Sequence, residues 1–149
     1  MLFIKRAEFS GDPWSGHVAF PGGRQEPGDA SLEETAIRET REETAIDIRR
    51  DGQVLGTLDE IYPRTPALPP IVVRPYVTVV VPDAAIVLSA EVAASFWIPV
   101  ATLRDPAVST ESTVVVRGEE RRVSSFRHGS YTVWGLTERI VRQFIGYFE

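Results

Sequence analysis

The chain has 149 residues, enough for one domain over 1–149 to bury a full core without staples. It has no cysteine, which excludes disulfides, thiolate zinc sites and a cysteine nucleophile, and its two histidines, His17 and His128, argue against a multi-histidine metal centre. A net charge of −5 disfavours nonspecific nucleic-acid binding, and no apolar run reaches the roughly 20 residues that span a bilayer, so no nucleic acid and no membrane partner is expected, while the lack of cysteine fits a reducing cytoplasm.

Leu2-Phe3-Ile4 reads as a short buried strand, too short for the apolar region of an export signal. Ser10-Gly11-Asp12-Pro13-Trp14-Ser15-Gly16 is loop. Trp14 in it either offers an aromatic face to a ligand or packs on a sheet edge. His17 to Phe20 reads as a strand leading into Pro21-Gly22-Gly23, and Pro27-Gly28-Asp29 is turn chemistry. A helix then starts at Ser31, where Ser31 with Glu34 forms a capping box. Ile46-Asp47-Ile48 and Gln53 to Tyr62 read as strands. The proline-rich loop Pro63 to Pro70 is a candidate substrate wall, and Ile71 to Val81 is strand-like with a break at Arg74-Pro75. A strand through Phe96-Trp97-Ile98, a helical turn at Val100 to Leu103, and a hairpin of Thr113 to Arg117 with Arg121 to Arg127 follow. Tyr131 to Thr137 reads as a strand ending at Gly135, and Ile140, Val141, Phe144, Ile145 and Phe148 mark the apolar stripe of a last helix.

The chemistry concentrates on the helix after Ser31. At about 100° per residue, Glu39, Glu42 and Glu43 share an arc of about 100°. Three neighbouring carboxylates repel one another and call for a positive partner. Hard divalent cations such as Mg²⁺ favour carboxylate and carbonyl oxygens, and the Gly22-Gly23 loop can add a carbonyl if it folds back over the helix. A solvated acidic face is the plainer alternative.

Arg38-Glu39-Thr40-Arg41-Glu42-Glu43-Thr44-Ala45-Ile46, with Gly23 upstream, resembles the Nudix box. It departs from the usual form in three ways: Thr40 fills an apolar slot, Ala45 replaces the glycine after the helix, and the loop before Arg38 is one residue longer. Asp29 best matches the acidic residue of that loop. Gly16-His17-Val18-Ala19-Phe20-Pro21-Gly22-Gly23 is similar to a signature of the coenzyme A pyrophosphatase branch, as are Val73 to Val77 and Trp134 to Thr137. The signature's second arginine has no counterpart; Asp12 lies near its slot.

The resemblance implies an α/β protein, a Nudix-type α/β/α sandwich with a mixed sheet, whose usual first strand would be missing here. It implies Mg²⁺-dependent hydrolysis of the pyrophosphate bond of a nucleoside diphosphate linked to another group, with Mn²⁺ as a substitute ion. Coenzyme A or a derivative is the leading substrate. ADP-ribose or a nucleotide sugar, and a catalytically silent nucleotide sensor, are the alternatives. Glu39, Glu42 and Glu43 with the Gly22 carbonyl are the implied metal ligands, and Arg38 is read as orienting a box glutamate. Glu43 or Glu91 takes the water's proton, unless Glu91 is merely a surface glutamate. Trp14, Arg24 and Arg74 are the candidate substrate contacts, with a surface salt bridge the alternative for Arg74. The family's habit also implies a homodimer.

Overall fold

A computed structural model describes residues 1–12, 14–63, 70–116 and 118–148. In chain order the elements are β1 (Leu2–Arg6), β2 (Val18–Ala19), α1 (Leu32–Thr44), α2 (Ile48–Asp51), β3 (Gly52–Thr57) and β4 (Tyr76–Val80). Then come β5 (Val92–Trp97), α3 (Val100–Arg104), a 3₁₀ turn (Pro106–Val108), β6 (Ser109–Val116), β7 (Glu119–His128), β8 (Tyr131–Trp134) and α4 (Gly135–Gly146). Helices and sheets give the chain its expected α/β character, with every strand pair among the described residues antiparallel rather than mixed. The chain resolves into two compact units, Met1–Phe20 with Ala90–Glu149, and Pro21–Ser89.

The first unit is built on β1. Its apolar residues pair with β5 in the register Leu2↔Trp97, Phe3↔Phe96 and Ile4↔Ser95, and β2 pairs on its other side. Phe3 stacks on Phe20 and Phe96, and Phe96 stacks on Tyr131 with ring centroids 3.9 Å apart. Phe3, Val18, Ile98, Leu103, Phe126, Val133, Val141 and Ile145 form one buried cluster. β6, β7 and β8 make the second sheet of this unit; the expected hairpin is present, with β6 starting earlier, β7 longer at both ends, and Arg117 outside the described residues. Gly135 opens α4 instead of ending a strand, so the strand expected to reach Thr137 stops at Trp134. The Thr137 hydroxyl instead donates to the Val18 carbonyl at 3.1 Å. Val141 and Ile145 of the expected stripe are buried, while Phe148 lies beyond the helix and is exposed.

The second unit holds α1. Ser31 caps it as expected, its Oγ accepting from the Glu34 amide at 3.2 Å. The strand expected at Ile46 to Ile48 is instead the lead into α2, because Asp47 caps that turn by accepting from the Arg49 amide. The long strand expected over Gln53 to Tyr62 is interrupted. β3 ends at Thr57 after a bulge between Val54 and Gly56; beyond it, among the described residues, the Leu58 amide donates to the Pro75 carbonyl and an isolated bridge joins Ile61 and Val73. The break at Arg74-Pro75 is present, with β4 starting at Tyr76. Most of the proline-rich loop, residues 64–69, falls outside the described residues. Ile37, Ile46, Ile48, Leu58 and Ile61 are buried here, together with Thr35, Glu43 and Thr44. The segment after β4 returns to the end of α1, where Val87 and Ser89 donate to the Thr44 and Glu43 carbonyls and satisfy acceptors the helix leaves open.

Candidate functional site

Glu39, Glu42 and Glu43 of α1 occupy graded environments: Glu43 is 4% exposed, Glu39 is half-buried and the Glu42 side chain is 54% exposed. The positive partner that their repulsion calls for is Arg38. Its Nη1 donates to Glu42 Oε2 at 3.0 Å and its Nη2 lies 3.2 Å from Glu39 Oε1. The same guanidinium grips Asp29 in a fork, Nε to Oδ1 at 2.9 Å and Nη2 to Oδ2 at 3.0 Å, and Nη2 also donates to the Arg24 carbonyl. Such bidentate pairs fix the plane of the arginine as well as its position. Asp29 Oδ2 further accepts from the Glu26 amide and the Thr35 hydroxyl, each at 2.9 Å. These contacts, with Arg38 foremost, hold the Asp29 carboxyl well below the usual carboxylate range. Arg38 therefore ties the turn before α1 to Glu39 and Glu42.

The glycine loop does fold back onto the helix. The Gly22 amide donates to Glu43 Oε2 at 3.0 Å, so Gly22 meets the site through its N–H, where the sequence reading gave it a role through its carbonyl. A Cβ at Gly23 would stand 2.1 Å from Glu39 Oε1. No other residue type fits there without moving the carboxylate. Among the described residues no group of three or more His, Cys, Asp or Glu side chains is disposed to hold a metal ion. Glu39 and Glu42 turn to Arg38, and Glu43 to the loop amide.

Two departures in the box acquire local reasons. Thr40, in its apolar slot, disposes of its hydroxyl by donating to the Ala36 carbonyl at 2.7 Å. Ala45 adopts the left-handed conformation (φ 62°) and donates its amide to the Arg41 carbonyl at 2.8 Å, so alanine makes the same helix-ending geometry glycine would.

The remaining candidates are placed as follows. Arg24 is exposed in the loop before α1. Arg74 donates through Nε and Nη2 to Glu60, which also accepts from the Tyr62 hydroxyl at 2.6 Å; this is the surface salt bridge of the two readings. Trp14 and Glu91 belong to the first unit. Trp14 is 40% exposed, and its amide donates to Asp12, which also pairs with Arg6 at 2.9 Å. Glu91 is exposed on the turn before β5, and its carbonyl accepts from Ala7. No helix among the described residues is long and apolar enough to cross a membrane. Asp29 was legible only as a loop match, and Thr35 was missed. The signal for Thr35 was a threonine at the fourth helical position, where its hydroxyl can reach the turn before the cap.

Known proteins bear on this arrangement. The NUDIX domain family matches residues 1–117. The chain is 34% identical over 130 residues to an uncharacterized Nudix hydrolase, NudL, of Photorhabdus laumondii, an alignment that covers 87% of this chain and 67% of that protein. It is 35% identical over 130 residues to the NudL of Cronobacter sakazakii, covering 87% and 65%. An uncharacterized protein of Schizosaccharomyces pombe is 46% identical over 61 residues, 40% of this chain and 18% of that protein. The chain thus spans about two thirds of the length of these NudL relatives. With the family matched over most of its length and relatives above 30% identity, the chain belongs to the NUDIX family.

Proposed function

We propose that this chain is a Mg²⁺-dependent pyrophosphohydrolase. Its substrate would be a nucleoside diphosphate linked to a second group, with coenzyme A or a derivative the first candidate. The observation that supports the reading most is the seating of the Gly22-Gly23 backbone on the carboxylate face of α1, with room for no side chain between Gly23 and Glu39. The closeness puts backbone and carboxylate oxygens, the ligand types hard divalent ions take, in one neighbourhood. Glu39, Glu42 and Glu43, with the Gly22 carbonyl, would hold Mg²⁺, or Mn²⁺ in its place. Glu42, whose side chain is more than half exposed, meets Arg38 through Oε2, which leaves its other oxygen for the ion. When bound, the ion supplies neutralisation of the diphosphate charge and a more acidic water.

The chain's own residues divide the rest of the work. Arg38, anchored on Asp29, keeps Glu39 and Glu42 from drifting apart under their mutual repulsion. Glu43, held by the Gly22 amide, is one candidate to take the water's proton and Glu91 is the other. The Trp14 face and the exposed Arg24 guanidinium suit a base and a phosphate. Arg74 would reach a phosphate only by exchanging it for Glu60. The coenzyme A branch is supported by the Gly16 to Gly23 signature. The lack of cysteine supports a cytoplasmic location. The homodimer rests on the family resemblance and would be read by light scattering.

The test is Mg²⁺-dependent turnover of coenzyme A, ADP-ribose, NADH, diadenosine polyphosphates and nucleoside triphosphates, with products identified by mass and Glu42→Gln alongside. Adenosine 3′,5′-bisphosphate with 4′-phosphopantetheine from coenzyme A is the expected result. AMP from ADP-ribose would keep the chemistry and replace the substrate. Ligand binding without turnover of any of them would overturn the enzyme reading in favour of a sensor.

A further inference from the structure

Thr35 is 3% exposed and sits in the first turns of α1, a position where alanine would suit the helix better and bury no polar atom. Its hydroxyl is within reach of two acceptors, Asp29 Oδ2 at 2.9 Å and the Ser31 carbonyl at 3.2 Å. A hydroxyl has one hydrogen to give. The shorter contact leads to the charged acceptor, which makes the stronger bond. Asp29 is thereby held from three directions: by the Glu26 amide from its own turn, by Thr35 from the helix, and by the Arg38 fork. Without the hydroxyl, the carboxylate would keep the turn amide and Arg38 but lose its one side-chain bond to the early part of α1. It could then swing about the turn and carry the guanidinium with it. Arg38 in turn touches Glu39 and Glu42. A continuous line of contacts runs from a buried hydroxyl to two of the three carboxylates of the face.

We propose that Thr35 is a positioning residue for this site: its hydroxyl sets the orientation of Asp29, and through Asp29 that of Arg38, so that Glu39 and Glu42 are presented together. The inference rests on the function proposed above for the part that concerns metal, and on the side-chain geometry alone for the part that concerns Arg38.

The experiment compares wild type with Thr35→Val, which keeps the shape and removes the hydroxyl, and with Thr35→Ser, which keeps the hydroxyl. In the metal-free protein, NMR reads the exchange of the Arg38 Nε proton with water. Calorimetric titration with Mg²⁺ alone then reads affinity, at a temperature where thermal melts show each variant fully folded. We expect Thr35→Val to speed the Arg38 proton several-fold and weaken Mg²⁺ about tenfold, the scale typical of outer groups around a metal, with Thr35→Ser close to wild type on both. Should Thr35→Val not fold, Thr35→Ala, a better helix former, carries the same comparison. An unchanged Arg38 proton in the hydroxyl-free variant would overturn the proposal. So would a lowered melting temperature with Mg²⁺ affinity intact, which marks a merely structural threonine. Wild type that binds no Mg²⁺ at all would sink the metal reading instead, and the Arg38 proton would still decide whether Thr35 positions the arginine.

Discussion

Around β1 and α4 the buried residues form one apolar cluster, from Phe3 and Val18 through Phe126 and Val133 to Val141 and Ile145. Around α1 a smaller apolar set, Ile37, Ile46, Ile48, Leu58 and Ile61, is joined by buried Thr35, Glu43 and Thr44, and beside it runs the chain of bonds through Asp29 and Arg38. The two arrangements answer different demands. Apolar burial scales with area and is indifferent to direction, so it stabilises a fold without aiming any group. Hydrogen bonds and ion pairs add little net stability but fix atoms to within tenths of an ångström. The buried cluster of the first unit should therefore register mutation as lost stability. The Pro21–Ser89 unit should register it as lost chemistry in a protein that still folds.

The largest expected effect tests the first half of that contrast. Phe126 is 1% exposed, with the Arg142 guanidinium 4.8 Å from its ring centre. Phe126→Ala should cost about 3–5 kcal/mol by denaturant melts, the range for an aromatic cavity in a core. At subsaturating denaturant the folded fraction should show unchanged turnover per folded molecule. Next is Glu43→Gln, which keeps an oxygen for the Gly22 amide while removing the charge. It should lower kcat by about 10²–10³-fold, the scale for losing one preorganised electrostatic contact at a reacting centre, and shift the melting midpoint little. A Glu43→Gln protein that melts early and turns over normally would invert the assignment of the two units.

The same contrast explains what could be read from the chain alone. β1, the Ser31 cap, the hairpin of β6 and β7 and the break before Tyr76 are local matters of apolar runs, caps and a proline, and sequence carries them. Ile46 to Ile48 looks like a strand because its apolar residues alternate. It turns helical because Asp47 bonds the Arg49 amide, a competition between side chain and strand ladder that alternation does not reveal. The strand through Tyr62 was overextended because the bulge at Leu55 leaves no mark except Gly56. At the site, the spacing of Glu39, Glu42 and Glu43 was legible from helical periodicity. The tertiary bonds were not: Arg38 to the Arg24 carbonyl, and Gly23 against Glu39, join residues 14 to 16 apart through a loop whose path no periodicity predicts.

Gly23→Ala sharpens the second half of the contrast with a smaller change. The new methyl would meet the far end of a flexible side chain, so Glu39 can rotate away and the backbone need not move. Stability should hardly change, while Mg²⁺ affinity should fall about 10–100-fold, as when an outer support of a metal ligand is lost. Calorimetric titration checks it, and a variant with a low melting temperature and full affinity would show that the loop, not the carboxylate, gives way. A smaller effect still comes from the first unit. Burial, with Arg6 adding, lowers the His17 imidazole below its ordinary value against the pull of Asp12. Because the folded form resists the proton, the unfolded chain takes it first as pH falls through about 6.5. The His17 contribution is thus complete above that pH and declines below it, by less than about 1.4 kcal/mol per pH unit, the limit for one proton. Melts between pH 8 and 5 should show the decline in wild type and a flatter profile in His17→Gln.

The mildest change tests whether the end of α1 stores strain that the site needs. Ala45 holds φ 62° with a Cβ in a region that disfavours one, and its amide still closes on the Arg41 carbonyl. Ala45→Gly removes the Cβ clash and adds freedom to the unfolded chain, two effects of opposite sign. The steric relief is the larger, so the variant should gain about 1 kcal/mol in stability. Ala45 lies two residues beyond Glu43, whose carboxylate is pinned by the Gly22 amide rather than by the helix end. Turnover should therefore stay at the wild-type value as stability rises. A gain in stability with a fall in kcat would mean that the alanine holds the last turn of α1 in the setting Glu43 requires, and that stability and chemistry in this unit are coupled through the backbone as well as through Arg38.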